Sequence, residues 1–332
     1  MLSVGIIGLG VGEQHIAGYE SHPGCKVTML CDISHEKREM ATAKYPRVKV
    51  VDDPHLVLRN PEIDVVSIAS YDNYHHAQTM EALKHDKHVF VEKPLCLFDY
   101  EAKEIRSSLN EKPHLKMSSN FILRKSPRFI RLKDMIGEGT FGDLYYVEGD
   151  YNYGRIHKIT DGWRGQIDFY SVMYGGGSHI VDLLLWLTGG EVEEVVAYGN
   201  GIATEGTKFR YNDMCVGLLK FKSGMIGKVS ANFGCVFPHF HALTLYGKKA
   251  SYINDFEYGK LYTSRESGTG FEKISDAYAS VHKGRLIYEF IDSIANGSAG
   301  GVMINEVFKC MSVCFALEKS VSSANPVTVE YI

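Results

Sequence analysis

An apolar stretch, Leu2 to Ile7, runs straight into Gly8-Leu9-Gly10-Val11-Gly12, and a helical pattern opens at about Glu13. Three glycines at alternate positions between a strand and a helix allow a tight turn and let the backbone approach a bound group closely. The helix start then offers unpaired N–H groups and a positive dipole end, which together suit a phosphate. The spacing is G-x-G-x-G, one residue short of the usual G-x-G-x-x-G. On the glycines alone, an ordinary strand–helix turn explains the pattern as well as a dinucleotide cradle does.

Context separates the two readings. A second apolar run, Lys26 to Cys31, ends at Asp32, 20 residues beyond Gly12. That is the interval at which an acidic side chain meets a ribose 2′-hydroxyl. A carboxylate there accepts hydrogen bonds from the ribose and repels a 2′-phosphate, so NAD is expected rather than NADP. Lys37 and Arg38 follow closely and leave NADP open. Gly8, Gly10, Val11, Gly12 and Asp32 are the expected cofactor residues.

The first third of the chain continues as short strands (2–7, 26–31, 48–51, 64–69, 87–91, 114–119) alternating with helices (13–21, 35–45, 54–59, 73–85, 98–110). Such alternation predicts a doubly wound parallel sheet, the Rossmann architecture. Beyond residue 119 the pattern changes. After a helix at 127–137, period-two strands are expected at 143–153, 192–200, 213–221, 225–233, 241–246 and 250–254, several joined by short glycine turns. They predict an α+β domain built on a large open, mostly antiparallel sheet, with helices at 178–188, 279–297 and 304–323 over one face. The expected division is 1–119 for the dinucleotide domain and 120–332 for a substrate and oligomerisation domain. The uncovered sheet face implies a homodimer or homotetramer.

With 332 residues, 45% apolar and a net charge of −4, the chain has the balance of a globular protein and no basic excess for nucleic acid or an anionic membrane. No apolar run is long enough to span a bilayer, and no secretory leader is read at the start. Seven scattered cysteines fit a reducing, cytoplasmic setting. Cys310 and Cys314 share a helix face as core, and His239 and His241 share a strand face without a third ligand, so no metal site is expected.

In a doubly wound sheet, ligands collect at the carboxyl ends of the strands. There lie Ser70, after the fourth strand, and Glu92-Lys93-Pro94, after the fifth. Proline biases Lys93 toward an extended backbone, fixing it at the lip of the sheet. A partly desolvated lysine there would touch nicotinamide ribose and substrate and shuttle protons; a plain surface lysine is the other reading. In Gly175-Gly176-Gly177-Ser178-His179, Ser178 is placed to cap a helix, so His179 would sit in its first turn and stay neutral near the positive dipole end. It would then accept a proton from a substrate hydroxyl; a satisfied buried histidine is the alternative. Asp182, three residues on, shares that face and is expected to hydrogen-bond to the ring or to substrate. Arg124, Arg155 and Arg164 are candidates for an anionic substrate group. Tyr145, Tyr146, Tyr151 and Tyr153 line either a sugar site or sheet core.

Gly8/Gly10/His15, Ala69-Ser70 with His75, Lys87 through Pro94, Asn120/Arg124/Pro127, Trp163-Arg164 and Gly175 through Asp182 together resemble the Gfo/Idh/MocA oxidoreductases, which include glucose–fructose oxidoreductase and inositol dehydrogenase. The resemblance spans essentially the whole chain. It implies that Lys93 contacts nicotinamide and substrate, that His179 is the acid/base, and that His15 and His75 lie at the cofactor, with His75 touching either nicotinamide or substrate. Many members carry an aspartate four residues before the histidine; here Gly175 stands there, with Tyr170 and Tyr174 as possible replacements. The resemblance implies an NAD(H)-dependent oxidoreductase of a sugar, sugar nucleotide or cyclic polyol. It also admits a non-catalytic NAD-sensing regulator and a glycoside-cleaving enzyme with hidden redox chemistry.

Overall fold

A computed structural model describes residues 1–278, 282–297 and 301–332. In chain order its elements are β1 (Leu2–Ile7), α1 (Glu13–Glu20), β2 (Cys25–Cys31), α2 (His35–Lys44), β3 (Lys49–Val51), α3 (His55–Leu58), β4 (Val65–Ile68), α4 (His75–Lys84), β5 (His88–Val91), α5 (Asp99–Glu111) and β6 (Met117–Ser119). There follow α6 (Pro127–Gly137), β7 (Leu144–Asn152), α7 (His157–Thr160), α8 (Ser178–Thr188), β8 (Val192–Asn200), β9 (Met214–Phe221), β10 (Ile226–Asn232) and β11 (Phe240–Gly247). The chain ends with β12 (Ser251–Asn254), β13 (Gly259–Tyr262), β14 (Glu272–Ile274), α9 (Arg285–Asn296), α10 (Ile304–Ser323) and β15 (Val327–Thr328). The first three residues of the helix expected at 279–297 lie outside the described residues.

Two compact units result. The first comprises Met1–Ile122, His282–Phe308 and Ile332; the second comprises Leu123–Val281 and Lys309–Tyr331. A linear division at 119 does not separate out the segment 282–308. That segment joins the first unit because α9 packs on α1, where a Cβ on Gly18 would overlap the backbone of Gly284.

The first unit is a six-stranded sheet in the order β3-β2-β1-β4-β5-β6, parallel throughout. Its inner strands, such as β4 and β5, are buried on both faces, as a parallel sheet flanked by helices requires, while the edge strand β3 is partly exposed. The strand order reverses between β1 and β4, so the carboxyl ends of β1, β4 and β5 border the crevice where this architecture binds ligands.

The second unit holds a nine-stranded sheet in the order β14-β13-β12-β11-β7-β10-β9-β8-β15. All neighbours are antiparallel except β7 and β10, which run parallel. One face is covered by α8 and α10, which lie on glycines: a Cβ on Gly149 would overlap Ile180, and one on Gly217 would overlap Leu317. The other face alternates out of that core and shows Tyr198, Leu218 and Ile226 exposed. Among the described residues no helix is long and apolar enough to cross a membrane.

Candidate active site

In the first unit, Gly8 sits at φ 90°, a conformation side chains disfavour, and a Cβ there would overlap the Ala69 carbonyl. A Cβ on Gly12 would overlap the Gly8 carbonyl, whereas Gly10 is open, with only the Lys37 amine within 4 Å of such an atom. The turn is therefore closed inward by Gly8 and Gly12 and bare outward at Gly10, with Val11 exposed beside it. Asp32 braces it: Oδ2 accepts from the Leu9 N–H at 2.7 Å and Oδ1 from the Ser34 N–H at 2.8 Å. A carboxylate has about four acceptor positions, so lone pairs remain for a ribose diol. These residues fit a dinucleotide. Arg38 spends Nη1 on the carbonyls of Asp32 and Ile33, at 2.9 Å each, and Lys37 lies 3.5 Å from Asp32.

Beneath the end of β5 lies a buried polar network. Glu92 Oε1 accepts from Asn120 Nδ2 at 2.7 Å and stands 3.2 Å from His15 Nε2. Burial alone would raise the Glu92 pKa. The charge of Lys283, the hydrogen bond and charge of His15 and the charge of Lys93 outweigh it and hold the carboxyl well below its usual range. An ionised carboxylate only accepts, so His15 Nε2 presents a proton to it, while Nδ1 lies 2.9 Å from Ser67 Oγ. His15 was expected at the cofactor. It is instead wholly buried, both nitrogens spent on protein partners.

His75 is placed in the same way. It is wholly buried, with Nδ1 donating to the Pro94 carbonyl at 2.6 Å and Nε2 3.3 Å from the Ser70 carbonyl. It ties the ends of β4 and β5 together beneath Lys93-Pro94, whose peptide is cis. Ser70 donates to Gln78 Oε1 at 2.8 Å.

In the second unit, the backbone is already helical before α8, through a π turn at Met173–Gly177. Ser178 is helical, and its hydroxyl donates to the Tyr174 carbonyl at 2.6 Å instead of capping. His179 thus lies inside a continuous helical run, and the first-turn dipole argument for its neutrality falls away. The glycines of the π turn are packed against rings and sulfur: Cβ atoms at 175, 176 and 177 would overlap the Tyr170 hydroxyl, the Tyr151 ring and Met173 Sδ.

Arg124 and Asp182 were expected to face substrate. They face each other, as a buried two-point ion pair (Nε–Oδ2 2.9 Å, Nη2–Oδ1 2.6 Å). Arg164 stacks over the Trp163 ring and Arg155 over Tyr153, at 4.6 and 5.2 Å to the centroids.

His179 lies instead among aromatic rings. Tyr151 of β7 has its ring centroid 6.1 Å from that of His179, 5.2 Å from His239 and 5.3 Å from His241. Tyr153 reaches His239 at 5.2 Å. Burial pushes the Tyr151 phenol well above its ordinary range, so it stays neutral. Apart from this group, Tyr145 stacks on Tyr246 and Tyr146 meets it at a tilt. Among the described residues no group of three or more His, Cys, Asp or Glu is arranged to hold a metal ion. Asn120, Ser67, Lys283 and Tyr278 were not singled out from sequence; Asn120 alone carried a signal, as part of the family resemblance.

A glycine cradle braced by an acidic residue, on a doubly wound sheet followed by an α+β unit, defines a dinucleotide-dependent oxidoreductase. The chain belongs to the Gfo/Idh/MocA oxidoreductase family: residues 2–120 match its NAD-binding Rossmann fold and residues 129–253 its C-terminal domain. It is 24% identical to a myo-inositol 2-dehydrogenase of Thermotoga maritima over 352 aligned positions, covering 100% of this chain and 99% of that one. It is 25% identical to the scyllo-inositol 2-dehydrogenase (NAD(+)) of Bacillus subtilis, covering 98% of this chain and 95% of that one. A levoglucosan dehydrogenase solved with NADH and levoglucosan shares the fold, with a TM-score of 0.88 at 20% identity over 100% of both chains.

Proposed function

We propose that this protein is an NAD-dependent dehydrogenase that acts on a carbinol carbon of a cyclic polyol or sugar. The observation that carries the substrate class is the cluster on the covered face of the second sheet. His179, His239 and His241 stand against the rings of Tyr151 and Tyr153. Polar tips on an apolar aromatic ground suit a ring of hydroxyls with C–H faces. The Arg124 guanidinium is engaged by Asp182, which weighs against an anionic substrate. The names of the inositol and levoglucosan dehydrogenases agree with this reading.

Gly8, Gly10, Val11, Gly12 and Asp32 hold the dinucleotide, which when bound supplies the hydride acceptor. Lys93 positions and polarises the substrate oxygen, and His179 takes its proton. Glu92, His15, His75 and Ser70 act by holding the ends of β4 and β5 in place. We also infer a cytoplasmic protein, supported by seven free cysteines, and a homo-oligomer formed through the open sheet face carrying Tyr198, Leu218 and Ile226. Sedimentation reads that directly, and a monomer would refute it.

The test is near-ultraviolet absorbance of nicotinamide with NAD and a panel of inositols, levoglucosan, free sugars and nucleotide-linked sugars. A signal with the cyclic polyols or sugars, lost in Lys93→Ala, is expected. Bound NAD with no signal from any of them would overturn the reading in favour of a regulator or hidden redox chemistry.

A further inference from the structure

One hydroxyl fixes the chemistry of a second histidine beside His179. Tyr278 Oη lies 2.7 Å from the backbone nitrogen of His241 and 2.8 Å from its Nδ1. A phenol has one proton to donate and lone pairs to accept. The backbone N–H takes a lone pair. The phenol keeps its proton at neutral pH, because burial pushes its pKa up to about 12. Among the described residues these are the hydroxyl's two hydrogen-bond partners, and a buried O–H left without an acceptor is costly. Its proton therefore goes to Nδ1, and neutral His241 carries its own on Nε2.

The arrangement is braced from below. The guanidinium of Arg128, almost wholly buried, donates to the carbonyls of Asp276, Asp255 and Glu257 at 2.9, 2.6 and 2.7 Å. It also donates to Asn254 Oδ1 at 3.0 Å, while Asn254 Nδ2 donates to the His241 carbonyl at 2.9 Å. The segment bearing Tyr278 and the strand bearing His241 are thus set by the same buried cation. The His241 ring centre stands 6.3 Å from that of His179, with the two planes at 84°. Two imidazoles so placed can each reach one of two neighbouring hydroxyls at ordinary hydrogen-bond length.

We propose that His241, locked by Tyr278 as the Nε2–H tautomer, is a specificity-determining residue that donates to the substrate hydroxyl next to the one His179 serves. The site then takes a vicinal diol and rejects the analogue lacking the second hydroxyl. This rests on the reading of the protein as a polyol or sugar dehydrogenase.

Two measurements on the full chain test it. Histidine ¹⁵N spectra should show His241 protonated at Nε2 in the wild type, and a mixture of tautomers in Tyr278→Phe; a proton on Nδ1 in the wild type overturns the lock. Kinetics with the inositol or sugar that the wild type turns over should show KM raised about tenfold or more in His241→Leu. The KM for NAD should stay unchanged. His241→Gln, which places an amide N–H near the Nε2 position, should recover most of the loss. A wild-type KM in His241→Leu, or a His241→Gln variant that melts like wild type yet is no better than Leu, overturns the role of His241 alone. A wild type silent on every member of the panel overturns the substrate reading itself.

Discussion

Arg124 and Asp182 grip each other through two hydrogen bonds of 2.9 and 2.6 Å, with both side chains almost completely buried. Arg124 precedes α6 and Asp182 lies on α8, so the pair pins the helix that carries His179. Trp186, one turn further along α8, presents its ring to the same guanidinium, at 6.0 Å to the centroid. Removing one partner strands a buried charge, so Asp182→Ala should lose about 3–5 kcal/mol in urea unfolding. The double variant Arg124→Met/Asp182→Leu should recover most of it, because a packed apolar pair replaces a paired charge at little cost. Equal loss in the single and double variants would show that the pair is no unit.

Asp32 has two duties, and its replacement separates them. It holds the glycine turn through the Leu9 and Ser34 amides, and it stands near the Lys37 amine. Asp32→Ala should weaken NAD by about 10–100-fold, the worth of one or two hydrogen bonds to a charged group. The same change frees Lys37 to meet a 2′-phosphate, so discrimination against NADP should collapse or reverse. Dissociation constants for both cofactors decide; unchanged values for both would place the ribose elsewhere.

Glu92 makes stability depend on acid pH. Its folded pKa lies well below the value of about 4.3 expected in the unfolded chain. A depressed carboxyl stabilises above its unfolded pKa, and that contribution is lost as pH falls toward the folded one. The wild-type melting temperature should therefore begin to drop from roughly pH 5 downward. Glu92→Gln should be less stable at pH 7 yet lose less over the same acid range. Parallel curves for the two proteins would remove Glu92 as the source.

Much of this was legible in the chain. The strands of the first unit followed from short apolar runs between helical periods, and the strands of the second sheet from β7 to β12 from alternation. The parallel pairing of β7 with β10 was not, because alternation gives a strand's faces but not its neighbour's direction. The residues flanking the π turn illustrate a second limit. Ser178 before an apolar run reads locally as a cap, yet the glycines before it continue the helix because Tyr170, Tyr151 and Met173 fill the space side chains would need. His15 and His75 lie in the right segments, but periodicity carries no information about which histidines face inward. His239 and His241 lacked a third histidine in sequence; α8 brings His179 to them only through the fold.

The Tyr170 hydroxyl occupies the place a side chain at 175 would need, and this yields a test of the family departure at that position. Tyr170 is buried, and the atoms nearest a Cβ on Gly175 are its Oη and then its Cζ, at 2.7 Å. Gly175→Ala should therefore cost about 1–3 kcal/mol, as overpacking does. Tyr170→Phe removes the nearest atom, so the two changes should couple, with the double variant more stable than the sum of the singles by about 0.5–3 kcal/mol. By the same reasoning Gly175→Asp should unfold the turn, because the carboxylate would meet the buried Tyr170 ring with no partner for its charge. Urea midpoints for all variants read this out. Strict additivity of Gly175→Ala and Tyr170→Phe would mean that something other than the tyrosine keeps glycine at 175.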